Sequence, residues 1–235
     1  MHKVSIPDHV VARSRLQRGG REHLFERLDM AKVAHVVVDL QVGFVAEGAP
    51  VEVPVTREIF GAVNAVSRAV RAAGGLNVFL RYTCDGGEDL PWTVWFDNYM
   101  TPEHRDRMHS AFARGAPYWQ LAPELDIAPQ GLLVDKTRFS ALSPGTCDMD
   151  AQLKARGIDT LIISGTLTNC CCESTARDAL QMGYNVIFLT DSNAALSDEE
   201  HNATLISMSA IFADVMDTGR LLGLIAGSGT MRTAA

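Results

Sequence analysis

Three consecutive cysteines, Cys170, Cys171 and Cys172, close the run TLIISGTLTNCCC. Asp39 closes VAHVVVD, and Lys136 closes LLVDK. A thiol, a carboxylate and an ammonium are the parts of nucleophilic catalysis. The sulfur attacks, the carboxylate takes its proton, and the cation favours the ionised forms. Taken singly, each has a plainer reading: a turn-capping Asp, a solvated Lys, a packed Cys. Their joint placement, each at the end of a strand-like run, singles them out.

The stretch Cys170–Met182 has a helical pattern that ends at Gly183. Thr168 or Asn169 can cap it. A helix start offers unpaired N–H groups and the positive end of the dipole, which pushes a thiol toward thiolate and can hold a developing oxyanion. Cys172, Ala176, Ala179 and Leu180 share one face and read as core, while Glu173, Arg177 and Gln181 share an exposed one. This periodicity does not choose between Cys170 and Cys171. Successive helical residues diverge by about 100°, so three adjacent thiols converge poorly on a metal. The chain also lacks His-Glu-x-x-His, a Gly-x-Gly-x-x-Gly after a strand, and a phosphate-binding loop.

The elements that must position these groups follow from patterning. Continuous apolar runs predict strands at Val33–Leu40, Asn77–Thr83, Leu132–Asp135, Thr160–Gly165, Asn185–Thr190 and Ala213–Met216. Helical patterns lie between them at Thr56–Ala73, Asp148–Arg156, Cys170–Met182 and Ser197–Ser209. Alternating strands and helices predict an α/β fold: a three-layer α/β/α sandwich around a mostly parallel, six-stranded sheet. In such sheets ligands bind beyond the carboxyl ends of the strands, where Asp39, Lys136 and the cysteines fall. Residues 1–30 read as an N-terminal extension, 31–227 as a single domain and 228–235 as a flexible tail.

Composition sets the outer limits. The 235 residues are 47% hydrophobic and carry 28 Asp+Glu against 21 Lys+Arg, a net charge of −7. An acidic chain without a basic stripe argues against a nucleic-acid partner and an anionic membrane surface. No apolar stretch is long enough to span a bilayer or to serve as a signal core. Five cysteines, three of them adjacent, are not a secreted disulfide framework, so reduced thiols and a cytoplasmic setting are expected.

VVVDLQVGF, LVDKTRFSAL and SGTLTNCCCESTARDALQMGYNVIFLTDS, in this order, closely resemble the isochorismatase-like cysteine hydrolases over roughly Lys32 to Thr218. The family pattern Gly-x-x-Thr-x-x-Cys-Val-x-x-Thr-x-x-Asp-Ala falls on Gly165, Thr168, Cys171, Thr175, Asp178 and Ala179. The resemblance implies Cys171 as nucleophile, Asp39 as base and Lys136 as the third member of a triad. It also implies a cis peptide between Thr166 and Leu167, with the backbone N–H groups of Leu167 and Cys171 as oxyanion hole. The chain departs from nicotinamidases, which carry an Asp-x-His…His metal site after the second strand; RYTCDGGEDLPWTVWFDNYM has no His. True isochorismatases lack the cysteine. The extension, KTRFSAL and TNCCCEST look nearest the ureidoacrylate and N-carbamoylsarcosine amidohydrolase branch.

The implied function is cleavage of a linear amide or ureide C–N bond of a small molecule through a thioester, with no metal and no cofactor. The competing readings are ester or vinyl-ether hydrolysis on the same fold, and a non-catalytic thiol sensor. For the substrate pocket the candidates are Gln41, Phe44, Trp92, Trp95, Tyr99 and Arg138. Trp92, Trp95, Phe96 and Tyr99 recur at helical spacing and read either as a packed face, on the core or a neighbouring subunit, or as a lid. Arg138 and Arg81 could bind a substrate carboxylate or pair on the surface. His201 reads as a helix-surface residue, and Asp191 as a turn cap. The resemblance further implies a homo-oligomer, a dimer or tetramer.

Overall fold

The computed structural model describes residues 1–84 and 92–229. Its sheet has six strands: β1 Val33–Val38, β2 Leu76–Tyr82, β3 Leu132–Lys136, β4 Thr160–Thr166, β5 Asn185–Ala194 and β6 Asp214–Met216. They run in the order β3-β2-β1-β4-β5-β6, and every strand pairing is parallel. The helices are α1 Asp8–Gln17, α2 Val42–Val45, α3 Thr56–Ala72, α4 Thr93–Asn98, α5 Pro102–Phe112, α6 Met149–Ala155, α7 Glu173–Gln181, α8 Asp198–Ser207 and α9 Thr218–Gly229. None of them is long and apolar enough to cross a membrane.

β1 shows why the strands are apolar without interruption. Ala34, Val36 and Val38 pack with Met149 and Leu153 of α6, Ala176 and Ala179 of α7 and Leu205 of α8. Val37 faces Ile59, Phe60 and Val63 of α3, and Val33 faces Val66 and Val70 together with Leu221 and Ile225 of α9. Both faces are therefore covered, which removes the polar half of the usual alternation. The exception is His35, wholly buried and held between Ser67 Oγ (3.1 Å) and Ser164 Oγ (2.7 Å). Burial pulls its pKa down to about 3, so it is a neutral core histidine.

The chain goes from β1 to β2 to β3 in one direction and resumes at β4 on the other side of β1. The switch point thus lies between β1 and β4, where an open α/β sheet leaves a crevice at the carboxyl ends. Val38 pairs with Gly165 across it, and Tyr82 pairs with Lys136 two strands away. Gly165 sits at φ +123°, and a Cβ there would overlap the Val38 carbonyl and lie 2.6 Å from the Val38 nitrogen. Both atoms are backbone and cannot yield. Gly165→Ala is expected to cost about 4 kcal/mol or more, a melting-temperature loss of roughly 10 °C. Gly61→Ala, in α3 with nothing within 4 Å, is the control and should be neutral or slightly stabilising in the same thermal melt.

Two expectations change here. β5 runs past Thr190 to Ala194, with a register irregularity against β4. Asp191 therefore lies inside a strand, and its Oδ1 accepts from the Thr218 N–H (2.9 Å) and hydroxyl (2.8 Å), capping α9. The extension carries α1, and Arg18 beyond it donates to the carbonyls of Ser209 and Ala213 at 3.0 Å. Asp214, fully buried, accepts from the backbone N–H groups of Leu24 (2.8 Å) and Phe25 (3.2 Å). Of residues 228–235, Ser228 and Gly229 end α9 and the rest lie outside the described residues.

Candidate active site

Asp39 follows the last residue of β1 and turns the chain with φ +50°, a left-handed conformation that Asp adopts more readily than most residues. Its side chain is fully buried and its Oδ2 lies 2.7 Å from Lys136 Nζ. That contact is an ion pair without hydrogen-bond angles, and Oδ1 has no hydrogen-bond partner among the described residues. Lys136, equally buried at the end of β3, donates to the Arg138 carbonyl at 3.0 Å and lies 5.3 Å from the Tyr82 ring centroid. Burial alone would lower its pKa. The negative charge of Asp39 opposes that, the net shift is upward, and the amine stays an ammonium.

Cys171 is reached through β4. The Thr166–Leu167 peptide is cis. Residues Thr168–Cys172 then form a π-helical turn, and α7 starts only at Glu173. This corrects the expected helix start at Cys170. No side chain caps the turn; the Leu167 carbonyl accepts from the N–H groups of both Cys170 and Cys172 at 3.1 Å. Cys171 is 5% exposed, Cys172 is fully buried in the core, and Cys170 is half-buried.

The thiol is not held as a thiolate, contrary to the helix-start argument. Its hydrogen bond to Cys170 and its burial both raise the Cys171 pKa, the Lys136 charge lowers it, and the Asp39 charge raises it again. The net shift is well upward, so the resting group is a thiol beside a carboxylate. Cys170→Ala removes the largest of these causes. Alkylation of Cys171, followed by mass spectrometry across pH, should begin at lower pH in that variant than in the parent chain.

The remaining motif residues tie loops to this turn. Thr168 Oγ1 bonds His201 Nδ1 at 2.9 Å, and His201 Nε2 bonds the Thr190 carbonyl at 3.0 Å. His201 is thus a buried strut, not a surface residue. It also stacks on His2, ring centroids 4.3 Å apart, and burial pulls its pKa down to about 4. Thr175 Oγ1 accepts from the Ala141 N–H at 3.2 Å, and Asp178 Oδ2 accepts from Ser143 Oγ at 3.4 Å. Both bonds fasten the loop that follows Lys136 to α7.

A cavity of about 180 Å³ opens over Cys171. Phe44, Tyr82, Trp95 and Phe139 supply aromatic walls, Val51, Met100, Met108 and Leu167 aliphatic ones, and Cys170, Cys171 and His104 complete it. Phe44 and Trp95 are the pocket candidates that line it. Gln41 does not: it is fully buried, donates to the carbonyls of Tyr82 (3.0 Å) and Trp119 (2.8 Å), and accepts from the Tyr82 N–H (2.7 Å). It clamps β2 because every polar atom of its amide is taken up by backbone. Trp92 and Arg138 line a neighbouring cleft instead, with the guanidinium 5.1 Å from the Trp92 ring centroid. Tyr99 is 72% exposed and stacks on the outer side of the site's Trp95. Arg81 pairs with Asp135 at 2.7 Å and lies 3.7 Å over the Trp119 ring. Among the described residues, no group of three or more His, Cys, Asp or Glu is placed to hold a metal ion.

Residues 33–220 match the isochorismatase domain family. The chain belongs to the isochorismatase family. It is 32% identical over 179 residues to the uncharacterized isochorismatase family protein YwoC of Bacillus subtilis, covering 76% of this chain and 86% of that one. It is 30% identical over 212 residues to the ureidoacrylate amidohydrolase RutB of Agrobacterium fabrum, covering 84% and 92%. Among solved structures, a cysteine hydrolase of Pseudomonas syringae pv. phaseolicola superposes with a TM-score of 0.77 at 28% identity, covering 86% and 95%. Membership makes the chain a hydrolase with the isochorismatase-like fold.

Within that fold, several pocket residues escaped the sequence reading. Tyr82 ends β2, so the rule that sites lie at strand carboxyl ends would have found it. Met100, His104 and Met108 are spaced by four, a one-sided helical stripe, but the polar run around them hides it. Val51 and Phe139 lie in loops, where patterning carries no signal.

Proposed function

We propose that the chain is a cysteine-dependent amidohydrolase that cleaves a linear amide or ureide C–N bond of a small molecule. The observation that carries this reading is the fully buried Asp39–Lys136 pair, with Asp39 Oδ1 unpartnered, in electrostatic contact with the Cys171 thiol. The amidohydrolase relatives support the bond type.

Asp39 takes the Cys171 proton as the sulfur bonds to the substrate carbonyl carbon and the carbonyl electrons move to oxygen. The backbone N–H groups of Leu167 and Cys171 receive that oxyanion. Collapse breaks the C–N bond, and Asp39 returns its proton to the leaving nitrogen. A water then gives a proton to Asp39 as it attacks the thioester; the C–S bond breaks and the sulfur recovers the proton. Lys136 stays 2.7 Å from Asp39 Oδ2 and places a positive charge beside the base. Because the resting sulfur is a thiol, proton removal belongs to the attack itself, which requires a base with a free oxygen.

Quenching a reaction with amide or ureide substrate in acid and digesting the protein should yield a peptide carrying an acyl group on Cys171, alongside released ammonia or amine. Turnover with no acyl peptide at any quench time contradicts the thioester.

A further inference from the structure

We infer that α8 holds the nucleophile in register, with His201 as a positioning residue that acts on Cys171 through Thr168. This rests on the amidohydrolase reading in taking Cys171 as the nucleophile. The π-helical turn Thr168–Cys172 carries the sulfur, and α8 grips it at both ends. At the start, the fully buried Thr168 hydroxyl bonds His201 Nδ1 at 2.9 Å and, among the described residues, nothing else. Just past the end, Thr204 donates its hydroxyl to Glu173 Oε2. Thr204 lies three residues after His201 and so on the same face of α8. The other carboxylate oxygen of Glu173 accepts from Arg177 Nε at 2.8 Å.

The partners fix the direction of each bond. The Thr190 carbonyl only accepts, so His201 Nε2 carries the ring hydrogen and donates to it at 3.0 Å. Burial keeps the ring neutral, with its pKa down to about 4, so Nδ1 accepts from the Thr168 O–H. The N-terminal segment fixes α8 in turn. His2 stacks on His201, its Nε2 accepts from the Ala195 N–H at 2.9 Å, and its Nδ1 donates to Asp198 Oδ1 at 2.8 Å. Asn202 accepts from the Ser5 N–H at 2.7 Å and donates to the Lys3 carbonyl at 2.9 Å. Leu167 and Cys171 flank Thr168 on one short turn. A turn released at Thr168 therefore displaces both the sulfur and the N–H groups that must meet the substrate carbonyl. Misplacing a reacting group by about 1 Å can cost roughly 100-fold in rate.

Two substitutions divide the histidine. In His201→Asn the amide oxygen stands in for Nδ1 and keeps an acceptor for Thr168. In His201→Gln the amide nitrogen stands in for Nε2 and keeps the donor to Thr190. Each loses one buried hydrogen bond, so thermal melts should shift alike. With an amide or ureide that the parent turns over, kcat of His201→Gln is expected about tenfold or more below that of His201→Asn, with KM within about threefold, because the loss falls on the transition state. Thr168→Val should fall with His201→Gln, and Thr168→Ser, which keeps the hydroxyl, with His201→Asn. Equal kcat in the Asn and Gln variants, or kcat that follows Tm alone across these variants, overturns the positioning role. If the parent turns over no amide or ureide, the amidohydrolase reading fails, and alkylation of Cys171 by iodoacetamide, read by mass spectrometry, decides the positioning role by itself. The sulfur is 5% exposed. A released turn exposes it further, so alkylation should be about threefold or more faster in His201→Gln than in His201→Asn. Equal alkylation rates overturn the role.

Discussion

Cys171→Ala is expected to lower kcat by about 10⁴-fold or more while the protein stays folded. The chemistry loses its acyl acceptor, and no neighbour replaces it. Cys172 is fully buried in the core, and Cys170 lies one residue along a π-helical turn whose geometry aims each side chain differently. Cys171→Ser keeps a hydroxyl of similar size and should be nearly as inactive, because a serine oxygen is a weaker nucleophile than sulfur beside the same base. Stability should move little. The site loses one sulfur atom, worth about 1 kcal/mol, or roughly 2–4 °C in Tm for a chain of this length. Steady-state assays with thermal melts on the three proteins decide it. Turnover within tenfold of the parent in Cys171→Ala rules the sulfur out as nucleophile.

The sheet was legible because burial on both faces leaves continuous apolar runs. Val33–Val38 is buried at every position, and the run in the sequence ends within two residues of the strand. By the same pattern Asp39, Lys136 and Cys171 fall at the carboxyl ends of their strands, one edge of the sheet. What failed was local. A helix start at Cys170 is a sound inference from periodicity, yet π and α turns share nearly the same apolar spacing over five residues. Gln41 looked like a pocket residue because it follows Asp39, but a chain turning at φ +50° sends it back into β2. His201 sits in the polar run SDEEHNATL, and periodicity there is too weak to reveal a buried face. The cavity walls were least legible. They come from α2, α4 and α5, from loops and from the end of β2, and no one-dimensional pattern links such distant segments.

Lys136→Met is expected to be the most damaging single change at the site. Methionine fills a similar volume, so packing is nearly kept and the effect is electrostatic. The parent buries both charges completely, 2.7 Å apart. Removing the ammonium leaves a carboxylate with no compensating charge and no hydrogen bond on Oδ1. Breaking a buried pair from one side costs about 3–5 kcal/mol, or roughly 10 °C in Tm. The alternative open to the buried carboxylate is to take up a proton. A group favoured in its protonated form by folding gives its stability at low pH and loses it as pH rises. The deficit of Lys136→Met against the parent should therefore shrink on acidification, and activity should vanish because a protonated Asp39 is no base. Asp39→Asn combined with Lys136→Met removes the orphaned charge and should recover most of the lost stability and none of the activity. Denaturant melts of the parent, Asp39→Asn, Lys136→Met and the double variant at two pH values measure the coupling. Additive stability losses of the single changes would mean that the two residues do not act as a pair. Recovery of stability without activity separates the cost of holding the charges from the chemistry they serve.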